Sequence, residues 1–568
     1  MPSSQHVSDP RHAPTCHHVR VWAPRPDTVD LVLADQTRMP MQPGPDGWWE
    51  SPTALPVGTR YAFSLDHGDP RPDPRSRFQP EGVHGFSELV ELTPVAPWPG
   101  MDLRGRVLHE LHIGTFTPGG TFDSAVAAFD DLVALGVDAV EVMPVAQFPG
   151  HRGWGYDGVD LFATQASYGG PLAFRRFVDA AHQRGLGVIL DVVYNHLGPE
   201  GNYLAEFGPW FNPDHQTPWG PAVNLDGDGS RQVRDHLLAN ARYWLVDIGV
   251  DGLRLDAVHA LADDSHPHFL AELSRNVEAW QDEAGRPLTL IAESDLNQPD
   301  TVSPIGSTPG ARGMDMQWDD DVHHGLHAFF TGETDGYYCD FGSAETLAKA
   351  LARVFVHDGG YSTFRGRDWG APVDPSTDRY DGHSFVVFIQ DHDQVGNRAA
   401  GDRLGARGQD PGAQAAAAAL YLLSPYTPML FMGEEWAAST PFPYFSDLSG
   451  ELGRQVTEGR RREFSKMSWE DDVPDPQSAA TFGSAVLDRG ERQHGHHRRM
   501  LEWYQNLLGL RRDHPQLRDP ALPGRVDVLD DDTVALHRGP FTVTATRRPT
   551  ASRPWVEVSG PQVSLRWA

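Results

Sequence analysis

Four stretches of this sequence run apolar and then stop on residues that can do chemistry. Val188-Ile189-Leu190-Asp191-Val192-Val193-Tyr194-Asn195-His196 closes on an amide and an imidazole. Gly252-Leu253-Arg254-Leu255-Asp256 closes on a carboxylate two residues after an arginine, and Leu290-Ile291-Ala292-Glu293 on a glutamate. Phe388-Ile389-Gln390-Asp391-His392-Asp393-Gln394 ends in an acid–imidazole–acid cluster. A charge at the end of a hydrophobic strand is costly to desolvate unless it is paired. Any one of these could be a cap or a buried ion pair. Four converging on one rim are harder to explain that way. Three carboxylates, two histidines and an arginine, with no zinc motif, suit cleavage of a glycosidic bond. That reaction needs one carboxylate as nucleophile and one protonated carboxyl as acid, about 5–5.5 Å apart when configuration is retained. Asp256 and Glu293 lie on successive strands and can meet that need. Arg254 shares a face with Asp256 and would hold it ionised. Glu293 would have to keep its proton near neutrality. Asp393 would bind sugar hydroxyls and stabilise charge developing on the ring.

The elements that must position these groups alternate strand and helix from about Arg106 onward. Strands are expected at Val107–His112, Ala139–Met143, Val188–Val193, Gly252–Leu255, Leu288–Ala292, Met314–Trp318, Phe385–Ile389 and Met429–Met432. Helical spacing covers Phe122–Leu135, Phe174–Arg184, Val233–Ile248, Ala413–Leu423 and Met500–Arg512. Eight such units predict an α/β fold, a (β/α)₈ TIM barrel with long loops and its active site at the C-terminal strand ends. The connection from His196 to Gly229 shows no period, and Asp66 to Pro80 reads as irregular. Short β-rich runs before Pro94-Val95-Ala96-Pro97 read as an N-terminal β-sandwich, and Val526 to Val558 as a C-terminal β domain. The expected division is 1–97, 98–515 and 516–568.

Composition narrows the functional classes. The chain has 568 residues and a net charge of −31, so polyanions are poor partners unless a local basic patch opposes the overall field, and no nucleic-acid partner is expected. Only Cys16 and Cys339 occur, which leaves neither a disulfide framework nor a thiolate cluster. Met1 to Pro14 lacks the apolar core of a signal peptide, and no run is long enough to span a membrane, so a soluble, cytoplasmic protein is expected. The acidic run Glu470-Asp471-Asp472 reads as a solvated turn.

The four segments resemble, in order, the four signature regions of the α-amylase family. The resemblance implies a retaining mechanism with Asp256 as nucleophile, Glu293 as general acid/base and Asp393 as transition-state stabiliser. It also implies that Asp191, His196, Arg254, His259, His392 and Gln394 serve the sugar site. Tyr156, in Arg152-Gly153-Trp154-Gly155-Tyr156-Asp157-Gly158, would stack on the sugar. Asp391 departs from the asparagine often found before the His-Asp pair and stands as the alternative stabiliser. His109-Glu110-Leu111-His112-Ile113-Gly114-Thr115-Phe116-Thr117 looks like the first barrel strand of branching enzymes and of maltooligosyltrehalose trehalohydrolases. Trp318-Asp319-Asp320-Asp321-Val322-His323-His324, Gly433-Glu434-Glu435-Trp436-Ala437-Ala438-Ser439-Thr440-Pro441-Phe442 and the Glu451 to Phe464 region resemble the trehalohydrolases. By that resemblance Asp320, Asp321, His323 and His324 line the sugar site, and Asp320, Asp321, Glu435 and Trp436 recognise a trehalose leaving group. Functional pairing with a maltooligosyltrehalose synthase is implied too. A glucan branching enzyme and a non-catalytic glucan-binding barrel are the alternatives. His323 and His324 could instead be a metal site, but a polar loop is the better reading, and no metal or other cofactor is expected.

Overall fold

The structure, a computed structural model, describes residues 15–404, 410–464 and 473–568. The Met1–Pro14 segment and the Glu470-Asp471-Asp472 run lie outside the described residues, as do the side chains of Glu463 and Phe464.

Eight parallel strands close into a barrel. They are β1 (Leu108–Leu111), β2 (Ala139–Val142), β3 (Gly187–Val192), β4 (Gly252–Leu255), β5 (Thr289–Ala292), β6 (Met316–Trp318), β7 (Phe385–Val387) and β8 (Thr427–Phe431). Each is short and buried at every position, as strands covered on both faces must be. The lumen holds Leu108, Ala139, Ile189, Ile291, Met316, Trp318, Val386, Phe388 and Met429. Alternation along a strand therefore sends Glu110, Glu141, Asp191, Arg254, Asp256 and Glu293 to that same inner side, nearer the C-terminal rim. The sheet register sets Glu110 opposite Glu141, and Asp191 opposite Arg254.

Helices cover the barrel, with departures from the expected periodicity. The run from Phe122 is two helices, Phe122–Val126 and Phe129–Leu135. The break at Ala127–Ala128 lets Phe122 and Phe129 both pack on Phe177, at 5.5 and 4.9 Å between ring centres. Helix Ser230–Arg242 continues as a π-helical turn, Tyr243–Ile248, which ends where Gly249 takes φ 89°. The connection after His196 is not structureless. It holds a helical turn, Leu204–Phe207, and an antiparallel hairpin, Phe211–Thr217 with Gly220–Val223.

The N-terminal region forms one sheet around Val29–Leu33 and Arg60–Leu65 and a second from Arg20–Trp22, Trp48–Glu50 and Gln42–Pro43. Val21, Leu31, Met41, Tyr61 and Phe63 pack with Phe207 of the barrel's long loop, which ties the two parts together. Within Asp66–Pro80, Pro70–Arg71 adds a short strand to the first sheet. The C-terminal sheet has five strands; the fifth, Val563–Trp567, was not expected, and Trp567 anchors it on Trp503. Among the described residues no helix is long and apolar enough to cross a membrane.

Candidate active site

At the C-terminal rim of the barrel a cavity of about 1030 Å³ opens over the strand ends. Tyr156, His196, Asp256, His259, Glu293, His392 and Asp393 all line it. One buried guanidinium organises its floor. Arg254 Nη1 donates to Asp191 Oδ2 at 2.7 Å and to Asp256 Oδ1 at 3.2 Å. Nη2 lies 2.9 Å from Glu293 Oε2, an ion-pair contact without the alignment of a hydrogen bond. The Trp318 ring lies 4.2 Å from the guanidinium carbon and walls it off from below.

Local backbone completes the arrangement. Asp256 lies one residue beyond β4, and Asn195 Nδ2 donates both to its carbonyl (2.8 Å) and to its Oδ2 (2.7 Å). The chain then turns sharply: Ala257 has φ 40° and ψ 54°, a left-handed conformation that a residue with a Cβ adopts only at a cost. That turn aims the Ala257 N–H at Glu293 Oε2, 2.6 Å away. Glu293 is thus held by a main-chain donor from the strand that carries Asp256.

A second chain of contacts crosses the cleft. The Tyr156 hydroxyl donates to Asp191 Oδ2 (2.6 Å) and lies 2.8 Å from His392 Nε2, with its ring stacked on the imidazole at 5.1 Å. Gly155, at φ 106°, permits this presentation, since a Cβ there would come within 2.2 Å of the Pro144 carbonyl oxygen. His392 Nδ1 is 2.5 Å from Glu110 Oε1, and its backbone N–H donates to Glu110 Oε2 at 2.9 Å. Burial disfavours the charged ring, but Glu110 and then Asp393 outweigh it and hold His392 up at about 10. Burial likewise lifts Asp191 to about 7 against the pull of Arg254. Asp393, with 38% of its side chain exposed to the cleft, accepts from Asn397 Nδ2 at 3.1 Å. Burial and Glu293 raise its carboxyl above the usual range despite His392.

Several expected sugar contacts lie elsewhere. Asp191 and Arg254 sit beneath the cleft and do not line it; each is spent on the ion-pair network, with 1% and 0% of the side chain exposed. Asp321 is turned inward, where Asn297 and the backbone N–H groups of Val356 and His357 bind its carboxylate, so it ties down a loop. His323 is buried in helix Asp320–Thr331, with Nδ1 2.9 Å from the Ile389 carbonyl and Nε2 3.1 Å from the Tyr338 hydroxyl. His324 packs half-buried on Tyr337 and Phe341, and burial lowers it to about 4. Glu435 faces the Gly433 N–H and His109, and Trp436 is fully buried. Both follow the αL turn at Gly433, which sends them into the wall instead of the cleft. Asp320, half-buried, accepts from Gln394 Nε2 at 3.3 Å. Burial, then Glu293, Asp321 and Asp393, lift it to about 8. Asp391 caps helix His392–Gly396 through the Gln394 N–H and is 1% exposed, so it does not reach the cleft.

The cleft also contains residues that the sequence reading passed over. Trp219 is 52% exposed on the hairpin tip and lies parallel to His196, with ring centres 4.5 Å apart. Its signal was the turn Thr217-Pro218-Trp219-Gly220, a large apolar residue placed where turns are usually polar. Arg460 reaches over from helix Gly450–Phe464 to donate to Asn397 Oδ1 at 3.1 Å. No local pattern could have found that contact. Outside the cleft, His215, Asp226 and Asp264 bring ligand-type atoms within 4.8 Å, but Asp226 is already engaged by His215, Asn212 and the Asp264 N–H.

Fold and site together define an alpha-amylase-type glycoside hydrolase. The family described as alpha amylase, catalytic domain, matches residues 99–212, which include β1 to β3 and the Tyr156 loop. Malto-oligosyltrehalose trehalohydrolase of Arthrobacter ramosus is 48% identical over 93% of this chain and 92% of its own length. The protein of that name from Mycobacterium tuberculosis (strain ATCC 25618 / H37Rv) is 44% identical over 96% of this chain and 95% of its own. A crystal structure from Salmonella typhimurium, assigned provisionally as an alpha amylase, superposes with a TM-score of 0.85 at 39% identity, covering 93% of this chain and 90% of that one. The chain belongs to the malto-oligosyltrehalose trehalohydrolase family. Similarity to a Vibrio cholerae 1,4-alpha-glucan branching enzyme is partial, 35% over 46% of this chain.

Proposed function

We propose that the chain hydrolyses the α-1,4-glucosidic bond joining a maltooligosaccharide to a terminal trehalose, releasing trehalose with retention at the cleaved anomeric carbon. Glu293 donates its proton to the glycosidic oxygen while Asp256 attacks the anomeric carbon, giving a covalent glucosyl-enzyme and free trehalose. Glu293, now a carboxylate, takes a proton from water, whose oxygen displaces Asp256 and yields an α-configured reducing end. Asp393 and His392 hold hydroxyls of the reacting sugar, and the Asp393 carboxylate stabilises the positive charge on its ring. Arg254 and Asp191 act from beneath, fixing Asp256 and Tyr156.

The observation that carries this reading is the pair Asp256 and Glu293 flanking a single buried guanidinium on the cleft floor. The choice of leaving group is supported by full-length similarity to proteins named for it. With Asp321, Glu435 and Trp436 buried, we place trehalose recognition on cleft-lining groups instead: the imidazole of His259 and the exposed face of Trp219. A cytoplasmic location and supply of the substrate by a maltooligosyltrehalose synthase complete the reading. The test is chromatography of a maltotriosyltrehalose digest. Trehalose plus maltotriose, with the new reducing end initially α, is the expected result. Mainly maltose from plain maltodextrin, or new α-1,6 linkages, would overturn it.

A further inference from the structure

Glu110 is absent from the set of groups that face the substrate, yet its contacts are unusual. It lies on β1, is 1% exposed, and gives both carboxylate oxygens to one residue: Oε1 to His392 Nδ1 at 2.5 Å and Oε2 to the His392 backbone N–H at 2.9 Å. That residue opens the segment carrying Asp393, so the grip fixes both the ring and the start of helix His392–Gly396.

The direction of protons along the chain follows from counting donors. The Tyr156 hydroxyl has one proton and three polar neighbours: Asp191 Oδ2 at 2.6 Å, His392 Nε2 at 2.8 Å and Arg254 Nη1 at 3.4 Å. Asp191 Oδ2 also accepts from Arg254, so this oxygen is an acceptor and takes the phenol proton. The phenol oxygen must then accept from His392, which requires a proton on Nε2. At the other edge of the ring Nδ1 faces a carboxylate oxygen, which requires a proton there too. A ring with two protons is an imidazolium, and Glu110 is the counter-charge set directly against it.

We propose that Glu110 is a positioning residue that fixes His392 as an imidazolium, donating at Nδ1 to Glu110 and at Nε2 to Tyr156, so that a fixed positive charge stands beside the sugar site and Asp393. Asp393 Oδ1 lies 3.6 Å from Nε2, close enough for the charge to favour its ionised form. Because Glu110 neutralises the ring from behind, the site keeps a negative balance toward a positively charged transition state. The titratable groups around the ring are Glu110 on β1, Glu141 on β2, Asp191 on β3, Tyr156 and His112 on the flanking loops, and Asp391 and Asp393 on its own segment. Trp154 and Trp318 form the apolar walls, at 5.5 and 6.0 Å between ring centres. Glu110 is the only one of these groups in direct contact with Nδ1 among the described residues.

The proposal rests on the reading of His392 and Asp393 as sugar-contacting groups, and two measurements keep the two ideas apart. Neutron diffraction of the unliganded wild-type protein at pH 7 should show deuterium on both ring nitrogens of His392 and none on Glu110; this holds whatever the substrate is. A bare ring nitrogen, or a deuterated Glu110 carboxyl, would overturn the proposal. The second measurement is the pH profile of kcat/KM for Glu110→Gln, which keeps the shape of the contact and removes its charge. An imidazole without that counter-charge titrates near about 6.5, so the variant should lose more than tenfold against wild type at pH 8.5 and several-fold less at pH 5.5. A purely structural role would give the same loss at both pH values, and that outcome counts against the proposal. Should the variant fail to fold, the neutron result on the wild-type protein decides alone.

Discussion

Replacing Arg254 by lysine keeps a positive charge on the cleft floor and removes only its shape. In the native site Nη1 spans Asp191 at 2.7 Å and Asp256 at 3.2 Å, while Nη2 meets Glu293 at 2.9 Å. Three carboxylates are therefore held by one planar fork. A lysine ammonium is a point charge on a flexible stem and cannot reproduce that fork. Losing one or two charge-assisted contacts, at about 1.5–3 kcal/mol each, weakens the site by roughly 2–5 kcal/mol. At about 1.4 kcal/mol per decade, kcat/KM for trehalose release should fall roughly 30- to 5,000-fold. The loss should sit mainly in kcat, because the contacts orient Asp256 and Glu293 and touch no sugar. Initial rates of trehalose release from maltotriosyltrehalose, with thermal melts as a control for folding, supply the assay. A variant retaining more than a tenth of wild-type kcat/KM, or losing activity wholly through KM, would refute the reasoning.

Asp256→Ala and Glu293→Gln should each lower turnover by about 10⁴-fold or more with circular dichroism unchanged, since groups that act as a unit fail as a unit; a tenth of wild-type kcat in either would remove that residue's role. Trp219→Ala should raise KM roughly 3- to 10-fold, the worth of about 0.5–1.5 kcal/mol of ring stacking, and a larger effect on kcat than on KM would show that the indole is no mere platform. Burial pushes the Asp157 carboxyl up to about 6, whereas the unfolded chain releases that proton near about 3.9. The native state therefore loses stability as pH rises from about 4 through 6, and the penalty stays in full above that. Asp157→Asn should raise the denaturant midpoint at pH 7.5, by about 1–3 kcal/mol in free energy, and leave it unchanged near pH 3.5; equal midpoints at pH 7.5 would contradict this.

The eight strands, their order and the polar residues at their ends could be read along the chain. A buried parallel strand is a short apolar run, and a charge that terminates one is conspicuous because desolvating it is costly. Period-two alternation carried that reading as far as placing Arg254 with Asp256. The same alternation would have turned Glu110 inward, but an acidic residue between His109 and Leu111 does not by itself say which face of β1 meets the cleft.

Failures cluster outside the barrel strands, in a helix whose phase the sequence did not show and in a positive-φ turn. Asp320, Asp321, His323 and His324 form one acidic and imidazole-rich run, yet helix Asp320–Thr331 rotates them about its axis and only Asp320 comes near Glu293 and Asp393. The αL turn at Gly433 buries Glu435 and Trp436 in the wall. The roles of Asn195, Trp219, Asn397 and Arg460 arise from segments far apart in the chain, three loops and one helix, meeting over one barrel end. Composition and strand periodicity, being local, determined the barrel and the acids at its rim. Which side chains share the cleft was decided only by tertiary structure, because helix phase, positive-φ turns and contacts across hundreds of residues leave no period in the sequence.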